Sequence, residues 1–99
     1  MAVKILIKMR FKEKDIGKIS KMLITRRYGA MEQEGYISSE TMWDLDDSQR
    51  VVVSSMWQNI ESWNRWRNSE KRKAIESQFS DYLDGPTQYE HFFIGLYPH

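Results

Sequence analysis

Five apolar residues at alternate positions, Val3, Ile5, Ile7, Met9 and Phe11, separated by Lys4, Leu6, Lys8 and Arg10, constrain this chain more than any other feature. A period of two is that of a strand with one face buried. The rest of the chain must therefore supply a cover for that face. From Asp15 onward Ile16, Ile19, Met22 and Leu23 fall three and four apart, with Lys18, Lys21, Arg26 and Arg27 between them, as on an amphipathic helix. Gly29 is the expected left-handed cap at its end.

Gly35 opens a run from Tyr36 to Leu45 rich in aromatic, β-branched and hydroxyl residues. Asp46-Asp47-Ser48 interrupts it, and Val51-Val52-Val53 resumes as far as Trp57, which reads as a hairpin. Asn59 is placed to cap a short helix bearing Ile60, Trp63 and Trp66. Ser69 is placed to cap a longer one carrying Ala74, Ile75, Phe79, Tyr82 and Leu83, ended by Gly85-Pro86. The run from Tyr89 to Tyr97 is apolar enough to suggest a strand covered on both faces. The order is β-α-β-β-α-β, an α+β ferredoxin-like arrangement with an antiparallel four-stranded sheet and helices on one face.

Such a sheet leaves its other face bare. Strands two to four carry apolar residues at both parities: Tyr36 with Ile37, Met42 with Trp43, Met56 with Trp57, and Phe92 with Phe93. An exposed apolar face marks an association surface, so the sequence predicts a homodimer with sheets packed face to face. Size points the same way, since 99 residues form one domain spanning 1–99, and small domains lean on disulfides, metals or partner subunits. There is no cysteine, and the two histidines, His91 and His99, are too few for an ordinary metal site.

Fifteen basic residues against fourteen acidic ones leave a net charge of +1, which provides no field for a polyanion. The basic segment Arg65, Arg67, Lys71, Arg72 and Lys73 is interleaved with Glu61, Glu70 and Glu76 and reads as a solvated helix face rather than a nucleic-acid site. No stretch has the length of a membrane span and the first residues lack a leader pattern, so a cytoplasmic location is expected. Gly-rich phosphate loops and the Ser-centred hydrolase motifs do not occur.

The stretch from Gly35 to Asp44, then Arg50 to Trp57, then Ile60-Glu61-Ser62-Trp63-Asn64-Arg65-Trp66-Arg67-Asn68-Ser69-Glu70 resembles the antibiotic biosynthesis monooxygenase family. In that pattern a Gly-started hairpin ends in a Trp and is followed by an aromatic-x-x-Trp helix and a Ser-Glu helix start. The resemblance implies a dimeric α+β barrel with a pocket between helices and sheet. It also implies activities from quinone-forming monooxygenases to haem-degrading enzymes, and members without known chemistry. The haem-degrading branch has an Asn on strand one, a Trp on the short helix and a His on the next. Here Met9-Arg10-Phe11 stands for the first, Trp66 matches the second, and Glu76 falls near the third, which leaves no obvious axial ligand.

The reading that follows is a cofactor-independent monooxygenase acting on a small electron-rich aromatic of hydroquinone or anthrone type. The substrate supplies the electrons, and the protein binds its ring, stabilises its anion and excludes water. Trp66, Trp63 and Phe79 are expected to wall a pocket against Met9 and Ile7. The Trp66 indole is a candidate donor and His91 the natural proton acceptor, with Arg10 or Tyr36 to hold an oxyanion. Each has a plainer role: Trp57 and Trp63 as core or interface aromatics, His91 as a hydrogen-bonding residue of a strand, Met9 as packing. The alternative function is a non-catalytic dimeric module, in which the pocket space is filled by Met9, Trp66 and Phe79.

Overall fold

A computed structural model of the chain describes residues 1–96. The elements follow in the order β1 (Val3–Arg10), α1 (Ile16–Met31), β2 (Tyr36–Trp43), β3 (Arg50–Trp57), α2 (Ile60–Arg67), α3 (Glu70–Gln78) and β4 (Gln88–Phe93). A short 3-10 turn, Ser80–Tyr82, lies between α3 and β4. The strands form one antiparallel sheet in the order β2-β3-β1-β4. This is the ferredoxin-like arrangement expected.

Alternation in β1 does what its period requires. Val3, Ile5, Ile7 and Met9 are buried under the helices, and Phe11, just beyond the strand, bridges to Leu83. Register carries the same face across the sheet. Ile5 pairs with Ser55 and His91, Ile7 with Val53 and Tyr89, and Val53 with Thr41. The helix-covered side thus holds Ser55, Val53, Thr41, Tyr89 and His91. The opposite side holds Lys4, Leu6, Lys8, Met42, Val52, Met56 and Phe92. A register irregularity between Tyr36 and Ser38 takes up the extra residue Ile37.

The caps sit where the sequence puts them. Asp15 accepts from the backbone N–H groups of Gly17 and Lys18, Asn59 from Ser62, and Ser69 from Arg72. Gly29 is different. The helix runs on to Met31, and Gly29 lies buried inside it because a Cβ there would stand 2.6 Å from Cη2 of Trp66. Space, not a left-handed conformation, selects glycine at that position. Gly35 does have a positive φ of 89°, and its missing Cβ would meet the Ser62 hydroxyl, so α2 starts directly against the entry to β2.

Two further expectations are corrected. The helix opened by Ser69 stops at Gln78, so Phe79 caps its end and Tyr82 and Leu83 lie beyond it. The last strand is not covered on both faces. Among the described residues it is an edge strand paired only with β1, and most of its side chains are exposed, because no described element lies against its outer side. Tyr97 lies outside the described residues.

Candidate active site

Between α1, α2 and the sheet lies a narrow cleft with a free volume of about 30 Å³, room for roughly one or two water molecules between its walls. Ile7, Val53 and Ser55 form its floor on β1 and β3. Trp63 and Trp66 come from successive turns of α2, Tyr36, Ser39 and Thr41 from β2, and Leu23, Arg26 and Arg27 from α1. None of the residues lining it is Asp or Glu.

Its aromatic wall is fixed by packing. Trp57 stands edge-on to Tyr36 (centroids 5.5 Å apart) and to Trp63 (6.0 Å). The Trp57 indole N–H donates to the Ser55 hydroxyl at 2.6 Å, and the Tyr36 and Ser39 hydroxyls share a hydrogen bond of 2.8 Å. Trp66 is 2% exposed and lies over the gap at Gly29. Trp63 is equally buried, and its indole N–H has no partner.

The polar side of the cleft belongs to a buried ion cluster. Arg26 and Arg72 are 4% and 3% exposed, and both reach Glu76. Arg26 Nη2 donates to Glu76 Oε2 at 2.7 Å, while Arg26 Nη1 points to the Met9 sulfur at 2.9 Å. Arg72 Nη2 lies 3.6 Å from Glu76 Oε1 and donates to the Tyr89 hydroxyl at 3.0 Å. The Nε groups of both arginines have no partner. Burial pushes the Arg26 guanidinium below its ordinary range, with Glu76 pulling the other way and Arg72 adding to the decrease. An arginine remains a cation at physiological pH even so. Two cations thus share one carboxylate.

Arg27, on the neighbouring position of α1, donates to the Thr41 hydroxyl at 2.8 Å. This bond ties α1 to β2 at the cleft's edge. Beyond it lies a more open groove of about 170 Å³, lined by Ile24 and Trp43, which shares Leu23, Arg27 and Thr41 with the cleft.

The structure brings Trp63, Trp66 and Tyr36 together at the cleft and places Met9 and Glu76 against Arg26. Phe79 is in the core beside Tyr82 and does not line the cleft. Arg10 points to the other side of the sheet, because its parity is opposite to that of Met9. There it pairs with Asp47 and with Asp84 at 3.7 Å. His91 shares the helix side with Ile5 but stands exposed on the edge strand, away from the cleft lining.

Arg26 and Arg72 were not among the expected site residues, although a signal was present. Arg26 continues the buried spacing Ile19, Met22, Leu23, and Arg72 and Glu76 stand at i−3 and i+1 from Ile75. A charge on the apolar stripe of a helix is a buried charge. The basic segment after Arg65 is therefore a solvated face only in part, with Arg72 and Glu76 turned inward. Glu76, at the position of the haem branch's His, has its carboxylate committed to Arg26. Among the described residues no group of three His, Cys, Asp or Glu is arranged to hold a metal ion, and no helix is long and apolar enough to cross a membrane.

A family model described as antibiotic biosynthesis monooxygenase matches residues 2–78. Solved structures share the fold across nearly the whole chain. SnoaB, a cofactor-independent oxygenase from Streptomyces nogalater, is 8% identical with a TM-score of 0.85, over 97% of this chain and 95% of that one. A conserved protein from Methanosarcina mazei Go1 is 17% identical with a TM-score of 0.83, over 94% and 92%. PA3566 from Pseudomonas aeruginosa is 10% identical with a TM-score of 0.80, over 96% and 95%. At these identities the likeness shows the fold alone. No curated protein matches the chain.

Proposed function

Because this chain belongs to the antibiotic biosynthesis monooxygenase family, we propose that it is a cofactor-independent monooxygenase that oxidises a small electron-rich aromatic, of hydroquinone or anthrone type, with O₂. The observation that carries the reading is the cleft itself. Its walls are Trp63, Trp66 and Tyr36, its polar side is cationic, and neither Met9 nor Phe79 fills it. Its free volume is about 30 Å³, so a ring-sized guest enters only as the walls part at the open mouth.

The chemistry balances without an added reductant. Loss of a proton, from a hydroxyl in a hydroquinone or from the methylene carbon in an anthrone, gives an aromatic anion, which passes one electron to O₂, and the radical pair combines to a carbon-bound peroxide. Protonation and loss of water leave a new carbonyl, so one oxygen atom stays on the ring and the other departs as H₂O. The protein's part is to hold the anion and exclude bulk water. In this reading the tryptophans stack on the ring and Arg26 stabilises the anion. The hydrogen-bonded hydroxyls of Tyr36 and Ser39 pass the proton toward the cleft mouth. Glu76 and Met9 orient Arg26. His91 has no part in it, and His91→Ala should leave turnover unchanged.

Anaerobic titration with hydroquinones and anthrones, read by tryptophan quenching and followed by admission of O₂, tests the proposal. Oxygen uptake matched by a quinone product is expected. A complex that forms and consumes no oxygen would sink it.

The same reading places a second copy of the chain on the open face of the sheet. Leu6, Met42, Val52, Met56 and Phe92 share that face, with Lys8 and Glu90 paired at 2.8 Å among them. Sedimentation should give a dimer, and Met42→Glu a monomer. A monomeric wild-type protein would remove the dimer from the reading.

A further inference from the structure

The cleft carries more positive charge than the oxygenation chemistry alone requires. Arg26 and Arg72 share the single carboxylate of Glu76, which leaves the buried cluster one positive charge in surplus. Arg27 adds a second cation to the lining, and no Asp or Glu lines the cleft to offset either. Two of the lining residues, Arg26 and Trp63, also keep a buried N–H with no partner, at Nε and Nε1 respectively. Both are donors, whereas the orphaned acceptor of the cluster, Glu76 Oε1, lies within ion-pair reach of both arginines and does not line the cleft. Buried donors and unbalanced charge cost free energy unless something supplies acceptors. A neutral hydroxyl or amide brings donors of its own, whereas a carboxylate or a phenolate oxygen only accepts.

We propose that the cleft is built for an aromatic monoanion, whose acceptor-only group is seated against Arg26 and the Trp63 indole N–H while its ring lies against Trp66 and Tyr36. This deepens the monooxygenase reading by naming the charge class of its substrate. In it Glu76 holds the Arg26 guanidinium in place yet neutralises only one of the two arginines. The anion completes the cluster.

The test uses three ligands of one shape, 2-naphthoate, 2-naphthol and neutral 2-naphthamide, titrated into the whole protein at neutral pH and read by tryptophan quenching. Naphthoate is expected to bind about tenfold more tightly than naphthamide, the gain typical of a charge-assisted contact. Alternatively, naphthol is expected to bind as its phenolate, visible in its own absorption. The first result assigns the anion as a carboxylate, the second as a ring oxyanion. Arg26→Gln should abolish the preference. Because that change enters the core and risks the fold, Arg27→Gln at the half-buried neighbour provides a second variant, expected to reduce the preference about threefold. Equal affinity for all three ligands, no binding of any, or a preference untouched by Arg27→Gln and by a folded Arg26→Gln would overturn the inference. Its failure is separable from failure of the monooxygenase reading. Oxygen uptake with a neutral hydroquinone and no anion preference keeps the reading and loses the inference. Anion preference without oxygen uptake by any hydroquinone or anthrone does the reverse.

Discussion

Met9 and Arg10 are consecutive in β1, yet they touch two ion clusters of opposite make-up on opposite sides of the sheet. On the helix side Met9 meets Arg26, and two buried arginines share the carboxylate of Glu76. On the open side a single exposed arginine, Arg10, is shared by Asp47 and Asp84. Water decides what each is worth. Around Arg10 it solvates any group left over, so the pairs there contribute little. Around Arg26 and Arg72 it is excluded and reaches only the partly exposed Glu76, so each guanidinium depends on its neighbours, and removing one partner strands another. The hydrogen bond with Asp47 raises the Arg10 pKa, whereas burial lowers that of Arg26. The buried cluster borders the cleft between helices and sheet, whereas the exposed one borders an open, solvated groove lined by Lys8, Arg10, Arg50 and Asp84.

The sharpest way to break this contrast is Glu76→Leu, which leaves two buried guanidiniums without a counter-charge. Destabilisation of about 3–5 kcal/mol is expected in a denaturant titration. A loss as small as an exposed pair gives would mean that water reaches the cluster. Next in size is Gly29→Ala, whose Cβ drives into Trp66 on the same cleft. It should cost about 1–3 kcal/mol by overpacking and shift tryptophan emission. Met9→Leu keeps the volume but removes the sulfur that faces Arg26, with an expected cost near or below about 1.5 kcal/mol. Smallest is Asp47→Asn, for which no measurable change in the denaturation midpoint is expected at moderate salt.

The last case carries a pH signature. Hydrogen bonding from Arg10 holds the Asp47 carboxyl below its ordinary value. Its contribution is therefore full above the unfolded carboxylate range and is lost as pH falls through the depressed folded value. At low salt, where the exposed pair is not screened, comparing wild type with Asp47→Asn across acid pH should show a small difference that vanishes toward the acid end. A difference that grows on acidification would reverse the assignment.

How far the sequence reaches differs between the same two sides. The strand parities of β1 and the caps at Asp15, Asn59 and Ser69 are legible, because period and cap chemistry are local. Trp63, Trp66 and Tyr36 fall at the cleft because the helix spacing and the hairpin start place them there. Gly29 misleads, since a glycine chosen for a neighbour's ring looks the same in sequence as one chosen for a helix end. The apolar character of Tyr89, Phe92 and Phe93 likewise says nothing about whether their strand lies at an edge. Arg10 and His91 are separated from the cleft by parity and by strand order, which only long-range pairing settles. Arg26, Arg72 and Glu76 were readable as charges on apolar stripes, but their pairing spans fifty residues.

The bond from Arg27 to Thr41 closes one end of the cleft, and its strength makes the cleft's length a matter of statistics. A partly exposed hydrogen bond of this kind is worth about 1 kcal/mol, so thermal motion leaves it broken in roughly one molecule in six, by the usual relation of free energy to population. Arg27 and Thr41 line both compartments, so this bond stands between the space over Val53 and the space over Trp43. A guest that spans both need displace only this one bond, at a cost close to that of one methylene group's burial.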